Sequence, residues 1–155
     1  MTSIPNEIHD DEVIVRALCS PFHLDRRTGK PTWTAFKAPP DRKDVSVIRH
    51  DYVGGDFCKR KAQELTNPSK TYRGLAFMHA KAIRRGPDVV DSREVYVGHA
   101  DIIHRFPAPP RGQPYEGPDL EALRDDCKRI LEGVRYIEDP NPEGDKWTEG
   151  CPQLP

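Results

Sequence analysis

The stretch PDLEALRDDCKRILEG, residues 118–133, has the clearest secondary-structure pattern of the chain. Its apolar residues recur at intervals of three and four, which places them on one face of an α-helix, opposite charged residues. They are Leu120, Leu123, Cys127, Ile130 and Leu131, with Val134 just beyond the end. Asp119 or Pro118 suits the first turn and Gly133 the end. The sequence therefore predicts a helix over 119–132.

Upstream of this helix, apolar and β-branched runs alternate with turns. They predict strands at 12–18, 33–36, 44–49, 72–78, 89–90 and within 94–103. Asp56 is predicted to cap a helix from Phe57 to about Leu65, and one or two helical turns are predicted between His79 and Arg85. This order indicates an α+β fold with a small mixed or antiparallel sheet and two to three helices.

The chain length of 155 residues indicates one domain. Residues 1–11 are polar and predict a flexible N-terminus, which leaves 12–138 for the α+β domain. The segment 107–118 contains five prolines and predicts an extended loop. Residues 139–155 are rich in proline, glycine and acids, and predict a tail that either wraps around the domain or dangles from it.

Composition excludes several classes of protein. Hydrophobic residues make up 35% of the chain, charged residues 32%, and the mean hydropathy is −0.77. No apolar run approaches the roughly 18 residues that a membrane span needs, so no membrane association is expected. The first residues lack the basic and apolar regions of a secretory signal.

Four cysteines are spread widely along the chain and form no C-x-x-C pair. They are Cys19, Cys58, Cys127 and Cys151. This spacing argues against a zinc site and a disulfide framework, and free thiols are typical of a reducing cytoplasm. The sequence therefore predicts a cytoplasmic protein with no metal and no cofactor.

Charge is distributed unevenly along the chain. Residues 1–15 carry a net charge of −4, residues 16–93 of +9 and residues 94–155 of −6. A basic middle between acidic ends fits a polyanion-binding face. It equally fits charges that are solvated or paired with one another.

Common catalytic and nucleotide-binding motifs are absent from the sequence. A P-loop, a G-x-G-x-x-G fingerprint, a G-x-S-x-G elbow and an H-E-x-x-H helix are all missing. His99 and His104 flank Asp101, but their spacing places them on opposite faces of a strand. We therefore expect structural or surface histidines rather than a metal site.

A looser set of polar residues lies on or beside the predicted strands. It comprises Arg16, His23, Lys37, Ser46, Arg49 and His99. Fixed cations with a hydroxyl donor suit an anion, and histidine can move protons near neutral pH. If strand alternation turns them to one common sheet face, that face is either an anion-binding site or simply wet. Aromatic residues in the basic middle fit base stacking or core packing equally.

Several segments carry a resemblance. They are RALCSPFH (16–23), TAFK (34–37), VSV (45–47), GLAF (74–77) and HADI (99–102). Together they resemble a group of small uncharacterised bacterial proteins with Arg-x-hydrophobic-His-Pro, Ala-Phe-Lys, Leu-Ser-Val and His-Ala-x-Ile segments. The chain departs from that pattern at Cys19-Ser20, which replaces the first histidine, and at Val97-Gly98. The resemblance implies a bacterial origin and carries no activity.

Three functions fit these features. The first is a small bacterial cytoplasmic binding or partner module that acts with a larger protein, with the proline-rich loop and the acidic tail as contact surfaces. It is favoured because no complete catalytic grouping appears in the sequence. The second is a small enzyme acting on a phosphate-bearing ligand, such as a nucleotide or nucleic acid, through the Arg/His/Lys/Ser set. The third is nucleic-acid binding through the basic middle. A cavity that holds Arg16, Lys37 and Ser46 together would favour the second.

Overall fold

The computed structural model describes residues 3–38, 44–106 and 109–155. Its strands are β1 Val13–Ser20, β2 Asp44–Arg49, β3 Thr71–His79, β4 Asp88–Asp91, β5 His99–Ile103 and β6 Arg135–Glu138. Its helices are α1 His50–Gln63, α2 Ala80–Ile83 and α3 Gly117–Glu132, with a 3₁₀ helix at Trp33–Phe36. All six strands form one antiparallel sheet in the order β4-β5-β2-β1-β3-β6. The predicted α+β fold is confirmed.

Strand β1 is buried on both faces, which explains its unbroken apolar run. Ile14 and Leu18 belong to a core shared with α3. Val15 and Cys19 belong to a second core shared with α1. The sheet is therefore the middle of three layers, with α3 on one side and α1 on the other.

The two central strands separate soon after they meet. β1 pairs with β3 along its whole length, and β2 pairs with β5 from Asp44 to Ile48. Between β1 and β2, however, the register contains only two pairs, Val15 with Ile48 and the preceding residue with Arg49. A cleft therefore opens between residues 16–20 of β1 and residues 44–47 of β2.

Helix α3 confirms the predicted helix and begins two residues before it. Its stripe is fully buried at Leu123, Cys127 and Ile130, and partly buried at Leu120 and Leu131. The helix ends where the N–H of Gly133 donates to the carbonyl of Ile130. Among the described residues, every helix is too short or too polar to cross a lipid bilayer.

The strand predicted at 33–36 is wrong, because these residues form a 3₁₀ helix. The N–H of Ala35 donates to the carbonyl of Thr32, which closes the turn. The Thr34 hydroxyl donates to the carbonyl of Phe22 over 2.8 Å and anchors the turn to the preceding loop.

Helix α1 begins at His50 rather than at the predicted Phe57. Gly54 interrupts it with a φ of 79°, a left-handed conformation that glycine adopts without steric cost. Asp56 does not cap a helix, because its Oδ1 accepts a hydrogen bond from the N–H of Trp147. Strand β6 was not predicted, since its four residues are too few for a periodic pattern.

Residues 139–155 wrap around the domain rather than dangle from it. Trp147 is 9% exposed and packs in the α1 core. The ammonium of Lys59 donates to the carbonyls of Asn141 and Lys146 over 2.6 and 2.9 Å. The N-terminal segment also makes defined contacts, because Ile8 is buried in the α3 core.

Candidate functional site

A cavity of about 630 Å³ lies where β1 and β2 diverge, and we call it the cleft cavity. Its volume falls within the range of about 300–1,000 Å³ that is usual for small-molecule sites. Five of the six residues predicted for an anion site line it: Arg16, His23, Lys37, Ser46 and His99. The end of α1, Lys70 and residues 95–96 complete its wall.

The predicted residues meet at a gap between two strands and not on one common face of the sheet. Both faces of the sheet are covered, so no common solvent face exists among the described residues. Arg16 shares the α3 face of β1 with Ile14, whereas Ser46 shares the α1 face of β2 with Ile48. The gap between the strands is what lets side chains from opposite faces line one cavity.

Arg16 spans the gap and holds its two walls together. Its Nε donates to the carbonyl of Ala35 over 3.0 Å, and one terminal nitrogen donates to the carbonyl of Ser46 over 2.8 Å. Burial lowers the pKa of Arg16 to about 10, so the side chain stays charged at neutral pH. Within the described residues, no carboxylate forms an ion pair with this guanidinium.

His23 supplies a neutral donor beside Arg16. The N–H of Cys19 donates to its Nδ1 over 2.9 Å, so the proton of the neutral ring is on Nε2. Burial, together with the charges of Arg16 and Lys70, lowers the pKa of His23 to about 3. The ring therefore donates a hydrogen bond at neutral pH and carries no charge of its own.

Ser46 is exposed although β2 is a central strand. The exposure follows from the gap, because no strand residue covers it on the β1 side. Its carbonyl points into the gap towards Arg16. Since the N–H and C=O of one strand residue point to the same side, the Ser46 N–H faces the gap as well. This position offers an anion both a main-chain donor and a hydroxyl.

The far end of the cleft cavity is aromatic. The ring of Tyr96 meets His99 edge-on with centroids 4.9 Å apart, and Lys61 Nζ lies 4.5 Å from the Tyr96 centroid. His99 Nδ1 is hydrogen-bonded to the Ser92 hydroxyl. Burial lowers the pKa of His99, so this ring too is neutral at pH 7.

Cations outnumber carboxylates in the lining. The charged lining residues are Arg16, Lys37, Lys61 and Lys70 against Asp44 and Glu64. Lys37 also lies 5.7 Å from the Trp33 ring centroid and 5.9 Å from that of Tyr115. The cavity therefore has a net positive wall that attracts anions.

Sequence analysis missed Lys61, Lys70 and Tyr96. Lys61 lies on α1, Lys70 closes a tight turn with Asn67, and Tyr96 lies in the turn before β5. None belongs to a motif, and only the packing of α1 and the two turns over the sheet brings them to the cavity. The sequence shows that these residues are basic or aromatic, but it does not show which residues lie beside them in the fold.

Arg49 lies outside the cleft cavity, contrary to its predicted role. It is fully buried, and Glu12 accepts two of its hydrogen bonds over 2.6 and 2.8 Å. Asp91 accepts another over 2.7 Å, and the carbonyls of Pro5 and Glu7 accept the rest. Every N–H group of this guanidinium is used, so none is left for a ligand.

His104 and the buried thiols are structural in character. His104 is buried, and its Nε2 is hydrogen-bonded to the carbonyl of Phe36 over 2.7 Å. All four cysteines are free, and burial raises the pKa of Cys58 and Cys127 to about 12. No group of three metal-ligating side chains occurs among the described residues.

No family model matches the chain, and no curated protein or solved structure shows significant similarity to it. The resemblance of residues 16–135 to small bacterial proteins therefore stays a prediction. Functional inference rests on the geometry and charge of the cleft cavity.

Proposed function

We propose that this protein binds a small ligand through a phosphate or a similar compact anionic group in the cleft cavity. The observation that supports the proposal is the charge balance around Arg16. Its partners are the neutral carbonyls of Ala35 and Ser46. Arg16 is half-buried and lacks a carboxylate partner among the described residues, which is unusual because withdrawing a charge from water is costly unless it is paired.

The stereochemistry of the Arg16 guanidinium favours phosphate. A guanidinium has five N–H groups, of which two are committed to carbonyls. The remaining three match the fork geometry with which arginine binds phosphate oxygens. An anion about 4 Å away gains about 4 kcal/mol at an effective dielectric constant of about 20. The His23 Nε2–H and the Ser46 N–H add neutral donors to the same end.

Binding is favoured over catalysis because the histidines of the lining are already engaged. The unprotonated Nδ1 of His23 accepts the N–H of Cys19, and His99 Nδ1 is hydrogen-bonded to the Ser92 hydroxyl. Ser92 is hydrogen-bonded to His99, but it is 3% exposed and does not line the cleft cavity. A nucleophile–base pair open to a ligand is therefore lacking among the described residues.

The shape of the cavity also favours a small ligand over a nucleic-acid strand or a protein partner. A nucleic-acid strand needs an extended basic face with stacking rings, whereas this wall is concave and encloses one small molecule. The tail proposed as a partner surface uses Trp147 for its own core. The free buried thiols of Cys19, Cys58 and Cys127 fit a reducing compartment, which supports a cytoplasmic location as part of this proposal.

Calorimetric titration with inorganic phosphate and ribose 5-phosphate tests the proposal. We expect Arg16→Gln to weaken ribose 5-phosphate binding by at least about tenfold, because charge-assisted hydrogen bonds are lost. Lys70→Gln should weaken it less, and added salt should weaken it in the parent. Arg85→Gln is the matched control, since Arg85 pairs with Glu132 on the surface.

Two results would overturn the proposal. One is a parent protein that binds neither probe at millimolar concentration. The other is an Arg16→Gln protein that is folded and binds ribose 5-phosphate as tightly as the parent. The turn at Lys70 is closed by its main chain, so Lys70→Gln should leave the fold intact. A loss of binding in Lys70→Gln therefore supports the site even if Arg16→Gln fails to fold.

A further inference from the structure

We infer that the ligand is a 5′-mononucleotide, with its phosphate beside Arg16 and its base against Leu65, Val95 and Tyr96. The inference rests on the proposed function and adds the class of the ligand. It comes from the uneven chemistry of the cleft cavity. Its β1 end carries Arg16 and His23, and its β5 end, across β2, carries the exposed Val95 and the ring of Tyr96, with Lys61 beside that ring.

The cationic end is compact. His23 is held by the main chain of Cys19, next to Arg16 on β1. Lys70 adjoins the same end, because it precedes Thr71, which pairs with Ser20 of β1, and it lines the cavity together with Arg16 and His23. This arrangement suits a single phosphate better than a chain of phosphates, because the other lysines, Lys37 and Lys61, lie against aromatic rings elsewhere in the wall.

The apolar end exposes side chains that proteins normally bury. Leu65 is 36% exposed and Val95 is 60% exposed, and both line the cavity. The ring of Tyr96, which meets His99 edge-on, lines the same cavity. Exposed aliphatic groups beside an aromatic ring form a surface that a flat ring covers well, since every nucleobase has an apolar face that stacks.

Polar groups of β2 line the same cavity, as the hydroxyls of a ribose require. They are the exposed hydroxyl of Ser46 and the edge of residues 44–47 that lies outside the ladder with β1. Hydroxyl groups of a sugar need such donors and acceptors. A phosphate on an aliphatic chain would leave these groups without partners, which is why a nucleotide fits this wall better than a lipid phosphate does.

Titration of AMP and ribose 5-phosphate separates the two ends, because both carry a 5′-phosphate on ribose and only AMP has a base. We expect AMP to bind about tenfold more tightly than ribose 5-phosphate, the ratio that one stacked base provides. A Leu65→Asn, Val95→Asn double variant should lose that ratio and still bind ribose 5-phosphate like the parent.

A Val90→Asn, Val97→Asn double variant is the matched control. These valines are 40% and 60% exposed, close to the exposures of Leu65 and Val95, but neither lines the cleft cavity. The control should keep the tenfold ratio. Melting curves of both variants establish that they are folded before titration.

The outcomes separate the two proposals. Equal affinity of the parent for AMP and ribose 5-phosphate overturns the nucleotide inference and leaves the phosphate site in place. A folded Leu65→Asn, Val95→Asn protein that keeps the tenfold ratio also overturns it. Failure of the parent to bind either compound overturns the proposed function together with this inference.

Discussion

Arg16 and Arg49 lie on the two central strands of the sheet, and their surroundings are opposite in charge. Arg49 has two carboxylates, with Glu12 at 2.6 Å and Asp91 at 2.7 Å. Arg16 has two neutral carbonyls and an open cavity. The fold neutralises Arg49 and thereby uses it as a structural anchor. The fold leaves the charge of Arg16 without a counter-charge, which is what a site for an anionic ligand requires.

The largest change in unfolding free energy is expected from Arg49→Met. Removal of the guanidinium leaves the buried carboxylate of Glu12 without its cation, whereas Asp91 keeps its ion pair with Arg93. The loss at Glu12 costs about 3–5 kcal/mol of unfolding free energy. Urea unfolding followed by circular dichroism measures the loss. Arg85→Met, at an exposed pair, should change the free energy by less than about 0.5 kcal/mol. Equal stability of Arg49→Met and the parent would show that Arg49 is not an anchor.

A smaller effect is expected from pH through His23. Its pKa is about 3 in the folded chain against an ordinary value of 6.5, so the unfolded chain binds the extra proton first. Stability is therefore complete above pH 6.5 and falls as the pH drops towards 3. Between pH 7 and pH 5 this one group accounts for about 1–2 kcal/mol.

His23→Gln removes that contribution and keeps an acceptor for the Cys19 N–H. Urea midpoints measured at pH 7 and pH 5 should therefore differ less in His23→Gln than in the parent. Burial also lowers the pKa of His50, His99 and His104, so part of the slope remains in the variant. Identical slopes in the two proteins would contradict a buried neutral His23.

The smallest effect on stability is expected from Arg16→Met, at the site that matters most for binding. The change removes an unbalanced charge from a half-buried position, and only the carbonyls of Ala35 and Ser46 lose a donor. The gain and the loss nearly offset, so the unfolding free energy should change by less than about 1 kcal/mol. A loss as large as that of Arg49→Met would place Arg16 among the structural anchors.

Much of the fold was readable from local pattern. The stripe through Leu123, Cys127 and Ile130 predicted α3 because a helix face repeats at a fixed interval. Strand β2 was predicted with its observed bounds, since Val45 and Val47 alternate with polar residues. Trp33–Phe36 and α1 were misjudged because a 3₁₀ turn and a glycine kink depend on distant contacts such as that of Asp56 with Trp147.

The candidate site was readable only in part. Arg16 and Ser46 stood out because each polar residue interrupts an apolar strand. Arg49 stood out for the same reason, and its sequence neighbours gave no sign of Glu12 and Asp91, which are 37 and 42 residues away. The local pattern shows that a cation lies on a strand. Which group it pairs with depends on the register of the sheet, which the local pattern does not show.

The contacts of Lys59 affect the order in which parts of the chain fold during synthesis. Its ammonium bonds the carboxylate of Asp139 and the carbonyls of Asn141 and Lys146, which lie 80 to 87 residues further along the chain. During synthesis on the ribosome, α1 therefore emerges with a cation that has no place in the core until those residues follow. Contacts of such wide separation form late and slow folding. Docking of α1 with Lys59 satisfied therefore requires that residues 139–146 have already been synthesised.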